Sequence, residues 1–246
     1  MLRAPAWVTA CPVAHRGLHD DRVPENSLAA FEAACEAGVP LELDVHASAD
    51  GHAIVFHDDT LARMTGAEGR VGAHTAKQLA RFRLGSSQEH IPTLADVLAR
   101  VRGRVPIVVE VKNEGRVGLV ERAVERVLSG YRGDVAVQSF NPLTLAWFRR
   151  EMPDLPRGLL AGDMDELDMN PLKQFALERL LLTPHARPAY IGYDLRALPI
   201  QPATLLRRLG MPLLAWTVRT EADQARAFEL ADNYIFENVS PTACPN

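Results

Sequence analysis

Apolar positions along the chain fall into short runs of strand length, and between the runs they recur at helical spacing. The runs Val13–His15, Leu41–Ala47, Ile107–Lys112, Val135–Phe140, Gly158–Ala161, Tyr190–Leu195, Leu213–Val218 and Asn233–Val239 predict eight strands. Behind the first, Asn26 or Ser27 can cap a helix that carries Leu28, Phe31 and Ala34 on one face and stops at Gly38. Further helices are predicted over Leu94–Val101 with Thr93 as cap, Leu119–Leu128, Pro142–Arg150, Pro171–Leu182, Thr204–Leu209 and Glu221–Leu230. Such alternation belongs to an α/β protein with a parallel sheet, and eight repeats favour closure into a (β/α)8 TIM barrel over an open doubly wound sheet. Neither the G-x-G-x-x-G dinucleotide fingerprint nor a P-loop follows any strand, which counts against a nucleotide-binding sheet.

Two stretches depart from the repeat. Asp50-Gly51 is a turn signal between Leu41–Ala47 and a further apolar run, Ala53–Phe56, so the second strand gains a hairpin partner. From Asp58 to His90 the chain turns polar, with Gly66, Gly69, Gly72 and Gly85, and reads as a small insertion containing one helix over Thr75–Phe82. The expected organisation is one barrel domain over residues 1–246, with the hairpin and insertion at 46–92 inside it.

The 246 residues are 47% hydrophobic and 24% charged, the balance of a soluble globular domain. A net charge of −4 gives no electrostatic ground for nucleic acid or an acidic membrane surface as partner. Cys11, Cys35 and Cys244 show no metal-ligand spacing and no even count, so neither zinc nor a disulfide framework is expected, as suits a reducing compartment. Met1–Pro12 is too short and broken for a signal peptide, and no apolar run reaches transmembrane length. The expectation is a cytoplasmic protein with a small-molecule partner and no stable membrane association; oligomeric state is left open.

The second strand holds the chemistry. Glu42 and Asp44 stand two positions apart, hence on one face of a segment that otherwise favours burial. Adjacent carboxylates repel and are costly to desolvate without a positive partner. A hard divalent cation bound through oxygen is the simplest such partner. Barrel active sites collect at the C-terminal ends of strands. Those ends here supply His15-Arg16, His57-Asp58 from the hairpin, Glu110-Val111-Lys112, Trp216-Thr217 and Glu237-Asn238. Glu42, Asp44 and Glu110 suffice to hold one cation with positions open to water or substrate. Lys112 shares the face of Glu110, and Arg16 offers a fork suited to phosphate oxygens. His15 and His57 belong to the residue type that titrates near neutrality and can exchange protons with an attacking and a leaving oxygen. His46 also shares the face of Glu42 and Asp44, but one step further on, where it is read as leaving the site. Taken singly, Glu110 with Lys112 reads equally as an ion pair bracing the barrel, and His57 as a turn residue. Their joint occurrence at strand ends favours metal-assisted hydrolysis of a phosphoester.

The same residues resemble the glycerophosphodiester phosphodiesterase family. The resemblance rests on His15-Arg16-Gly17, Pro24-Glu25-Asn26-Ser27, Glu42-Leu43-Asp44-Val45, and Asp50-Gly51 followed by Val55-Phe56-His57-Asp58. Ile91-Pro92-Thr93-Leu94, Glu110-Val111-Lys112, Ser139-Phe140 and Trp216-Thr217-Val218 continue it in the family's order. It implies a TIM barrel with an insertion after the second strand, and Mg²⁺ or Ca²⁺ bound by Glu42, Asp44 and Glu110. It further implies acid–base catalysis by His15 and His57, with substrate or phosphate contacts from Arg16, Lys112 and Trp216. The implied reaction is hydrolysis of glycerophosphodiesters to sn-glycerol 3-phosphate and an alcohol such as choline, ethanolamine or glycerol. Two positions depart from the family's pattern. Arg219 stands where it usually has Asn, and Glu237-Asn238 where its last strand usually ends in Thr-Asp; both bear on the pocket wall and so on the preferred alcohol.

Two other readings remain. A lysophospholipase D-like lipid phosphodiesterase needs an apolar surface for acyl chains, and the insertion offers only scattered Leu61, Met64, Val71, Leu79, Phe82 and Leu84. A non-catalytic phospho-ligand binding barrel is expected to lack a metal ligand or a proton-transfer group, whereas this chain keeps the whole set.

Overall fold

The computed structural model describes residues 3–113, 116–163 and 171–240. Nine strands lie among them: β1 Val13–Ala14, β2 Leu41–Ala47, β3 Ala53–Val55, β4 Ile107–Val111, β5 Val135–Ser139, β6 Arg157–Ala161, β7 Tyr190–Asp194, β8 Leu213–Val218 and β9 Asn233–Phe236. They form one sheet in the order β1-β9-β8-β7-β6-β5-β4-β2-β3, and β1 also pairs with β2. Eight strands thus close into a (β/α)8 barrel, and β3 stays outside it as an antiparallel extension of β2. The chain divides into two compact units, Ala14–Val135 and the described residues on either side of it. Among the described residues no helix is long and apolar enough to cross a membrane.

In the Ala14–Val135 unit, β2 is buried from Leu41 to Val45, as a barrel strand covered on both faces should be. Leu41, Leu43 and Val45 serve that burial with apolar side chains; Glu42 and Asp44 are buried just as completely and need another explanation. The register sets Asp44 opposite Glu110 of β4, so a third carboxylate arrives beside the first two. The helix Leu28–Glu36 begins where Ser27 Oγ accepts from Ala30 N. It lies so close to the turn after β1 that a Cβ on Gly17 would stand 2.9 Å from the Ala30 Cβ. Gly17 also has φ +82°, in the left-handed region that a residue without Cβ enters freely.

The insertion differs from its sequence reading. Two one-turn helices, Ala62–Thr65 and Ala76–Leu79, and a 3-10 turn at Val71–Ala73 replace the single expected helix. Elements this short leave no 3.6-residue pattern to read. Thr75 caps the helix Ala76–Leu79, in a reciprocal pair with Gln78. The scattered apolar residues gather: Leu61, Val71, Leu79 and Leu84 pack with Ile54 and Phe56 in one buried cluster, with Met64 and Phe82 against it. Leu79→Ala in this cluster should cost about 2–5 kcal/mol of stability, read by urea unfolding, because it opens a cavity under a fully buried side chain.

In the other unit, β6 to β9 pair in parallel, and Tyr190, Leu214, Ala136 and Val8 form part of its core. Val8 belongs to a short helix, Trp7–Ala10, that the sequence reading missed. Asn233 Nδ2 pins it by donating to the carbonyls of Val8 at 2.8 Å and Cys11 at 2.7 Å. Cys11 is disulfide-bonded whereas Cys35 is free, and Cys244 lies outside the described residues. This corrects the expectation of no disulfide, and the cysteine count no longer argues for a reducing compartment.

Candidate active site

The Ala14–Val135 unit brings together seven of the eight residues singled out from sequence. Glu42, Asp44 and Glu110 each present an oxygen within 4.8 Å of the others, and all three are buried. Positive and polar groups surround Asp44 in particular. Lys112 Nζ lies 2.9 Å from its Oδ1 and 2.5 Å from Glu110 Oε1, while Arg16 Nε approaches its Oδ2 at 3.3 Å. Asn26 grips it twice, donating from Nδ2 to Oδ2 at 2.9 Å and accepting from the Asp44 backbone N–H at 3.3 Å.

The charges sort accordingly. Burial would raise the Asp44 carboxyl, but Lys112, His57 and Arg16 overcome it and hold the group well below the usual carboxylate range. At Glu42 burial dominates, reinforced by Asp44 and Glu110, and its carboxyl is pushed well above that range. Burial works against the Lys112 ammonium too, yet Asp44 and Glu110 win and raise it. Glu42 receives one backbone hydrogen bond, from Arg16 N to Oε2 at 3.1 Å, and His15 Nε2 stands 3.8 Å from the same oxygen. Its Oε1 is buried with no hydrogen-bond partner among the described residues. An orphaned, buried carboxylate oxygen next to two more carboxylates fits a divalent cation with oxygen ligands. The three residues could therefore hold one metal ion.

His57 reaches this cluster because the hairpin folds back along β2, where Phe56 N donates to the Asp44 carbonyl at 3.0 Å. Its ring Nδ1 is 2.6 Å from Asp58 Oδ1, and its carbonyl accepts from His46 Nε2 at 2.9 Å. His46 therefore leaves the carboxylates, as its position on β2 suggested, and holds the histidine's backbone instead. Burial lowers His57 below the usual histidine value, Lys112 and Arg16 add to this, and Asp44 and the Asp58 hydrogen bond oppose it.

Sequence reasoning missed a second layer. Glu25 accepts from Arg16 Nη1 at 2.9 Å, and Arg63 of the insertion reaches both Glu25 and Asp58. Asn26 and Glu25 carry a signal, since both fall in the Pro24-Glu25-Asn26-Ser27 motif, but there Asn26 reads as a candidate helix cap, whereas Ser27 is the cap and Asn26 binds Asp44. Arg63 carried none.

Trp216 belongs to the other unit, at the end of β8, where its ring meets Phe140 edge-on with centroids 5.5 Å apart. A Cβ on Gly162 would stand 3.2 Å from its ring, so a glycine leaves it room. The two departures noted in the sequence prove to be one feature: Arg219 Nε donates to Glu237 Oε2 at 2.7 Å.

The model of the glycerophosphoryl diester phosphodiesterase family matches residues 15–238. The chain belongs to this family. A glycerophosphodiester phosphodiesterase of Bacillus subtilis (strain 168) is 28% identical over 249 residues, covering 92% of this chain and 82% of the relative. One from Caldanaerobacter subterraneus subsp. tengcongensis is 34% identical over 160 residues, covering 60% of this chain and 65% of its own. Among solved structures, a phosphodiesterase of Oleispira antarctica in complex with the product sn-glycerol-3-phosphate superposes with a TM-score of 0.78 at 25% identity, covering 92% of this chain and 91% of that one. The first family residue matched, His15, is also the first member of the cluster described above.

Proposed function

We propose that this member of the glycerophosphoryl diester phosphodiesterase family hydrolyses glycerophosphodiesters to sn-glycerol 3-phosphate and an alcohol, with a divalent cation, Mg²⁺ or Ca²⁺, on Glu42, Asp44 and Glu110. The observation that carries the reading is the orphaned Glu42 oxygen inside a buried carboxylate triad, with two histidines beside it. When bound, the cation supplies Lewis-acid polarisation of a phosphoryl oxygen. The chain's own groups do the rest. His15 and His57 hold and move protons between the attacking and leaving oxygens. Arg16 and Lys112 bring fixed positive charge to the phosphoryl group, each oriented by a carboxylate. Trp216 is the remaining residue proposed to contact the substrate.

The lipid alternative is disfavoured by the insertion, whose apolar side chains are mostly spent on their own buried cluster. The non-catalytic alternative is disfavoured by an intact set of acid, base and cationic groups. Purified protein with glycerophosphocholine and Mg²⁺ or Ca²⁺ should release sn-glycerol 3-phosphate, measured by a coupled dehydrogenase assay, and should turn over lysophosphatidylcholine far more slowly. No product with any divalent cation, or faster turnover of the lysolipid, would refute the reading.

A further inference from the structure

Arg63 sits on the one-turn helix Ala62–Thr65, and its side chain is about half exposed. Despite that exposure its guanidinium makes four hydrogen bonds to two carboxylates. Nε and Nη2 donate to Asp58 Oδ2 at 2.7 Å and Oδ1 at 2.9 Å. Nη1 and Nη2 donate to Glu25 Oε2 at 3.1 Å and Oε1 at 2.6 Å. A planar fork of this kind fixes direction as well as distance, which an ammonium cannot.

Each carboxylate passes the constraint on. Asp58 Oδ1 lies 2.6 Å from His57 Nδ1, and Glu25 Oε1 lies 2.9 Å from Arg16 Nη1. One guanidinium is therefore a single residue away from a proposed proton-transfer group and from a proposed phosphate-binding group. Glu25 and Arg63 are 38 positions apart in sequence, so the insertion is tied to the loop after β1 through this side chain.

We infer that Arg63 is a positioning residue for the phosphodiesterase reaction: it locks Asp58 so that His57 keeps its proton on Nδ1 and offers Nε2 to substrate, and it steadies Arg16 through Glu25. The tautomer follows from donor counting. An ionised carboxylate only accepts, so the nitrogen facing Asp58 must carry the hydrogen. Asp58 is ionised at neutral pH, since hydrogen bonds from Arg63 and His57 overcome its burial and hold its carboxyl at about 2. The role of the insertion is then catalytic geometry rather than cover, and its buried cluster is what holds Arg63 in place.

For what His57 does, the inference rests on the proposed activity, so its test has an arm that needs no turnover. Proton NMR of histidine-labelled protein should show a far-downfield Nδ1 proton from the short His57–Asp58 hydrogen bond, assigned by its absence in His57→Asn. In Arg63→Gln that proton should move upfield or vanish by exchange. In the assay, kcat should fall about tenfold or more with KM changed much less, since misplaced catalytic groups act on the transition state. Arg63→Lys, which keeps charge without the fork, should recover only part of the loss. Arg70→Ala, which breaks an exposed pair with Asp59 in the same insertion, should leave kcat unchanged. An unmoved proton, kcat within twofold of wild type in Arg63→Gln, or an equal loss in Arg70→Ala would overturn the inference. If the wild-type enzyme releases no product, the proposed activity fails and the NMR arm alone decides whether Arg63 orders His57.

Discussion

Asp44→Asn should reduce turnover of glycerophosphocholine by about a thousandfold, and calorimetry should show Mg²⁺ or Ca²⁺ binding lost in parallel. The size follows from several kcal/mol of Lewis-acid stabilisation, at about 1.4 kcal/mol per factor of ten. Asp44 is the sharpest choice in the triad because it carries most of the contacts: Lys112, Arg16 and Asn26 all close on it. Its substitution keeps the shape and removes the charge. It also leaves Lys112 with Glu110 as its remaining partner, so the fold should persist while the site loses its balance. Chelation of the wild-type protein should give the same loss, reversed by adding the cation back. A folded Asp44→Asn protein with more than a tenth of wild-type activity would remove the metal from the proposed mechanism.

His57→Asn should lower kcat by about 10²- to 10⁴-fold, the range for removing a general acid or base. Its pH dependence carries a sign. Burial sets the imidazole below the ordinary histidine value, so the neutral form prevails at pH 7 and suits a proton acceptor. In wild type, kcat/KM should then fall as pH drops through that lowered value, because protonation removes the acceptor. The limb should be missing from whatever residual activity His57→Asn retains. An unchanged acidic limb in the variant would assign the acceptor role elsewhere.

How much of this was legible beforehand depended on periodicity. β2 was readable residue by residue, from Leu41 to Ala47, because two carboxylates in an apolar run of period two can only share a face. Glu110 on β4 and Lys112 just past its end followed from the same parity. The barrel was legible because each strand and helix repeats a pattern longer than the noise in it. The insertion was not. Its helices span four residues each, and its apolar side chains converge through turns, so the buried cluster has no sequence period. Arg63 was invisible for a related reason. It reads as one more arginine on a polar stretch, and its importance comes from two carboxylates brought to it by the hairpin and by the loop after β1. The cysteine count misled in its own way, since an odd number of cysteines suggests no disulfide framework, yet Cys11 is disulfide-bonded.

The tight approach of Gly17 to Ala30 changes what the tripeptide His15-Arg16-Gly17 means as a signature. Gly17 is there for packing: it turns the backbone at positive φ and admits the helix Leu28–Glu36, while Leu18 N donates to the Ala30 carbonyl at 3.0 Å. Arg16, itself at φ 56°, uses that turn to aim its backbone N–H at Glu42. A barrel that had lost the reaction would still need the glycine, and would keep it as long as the helix stayed where it is. The glycine at this turn therefore marks the architecture, and only His15 and Arg16 in front of it mark the chemistry. A search for working enzymes built on the whole tripeptide would let a packing glycine stand in for chemistry.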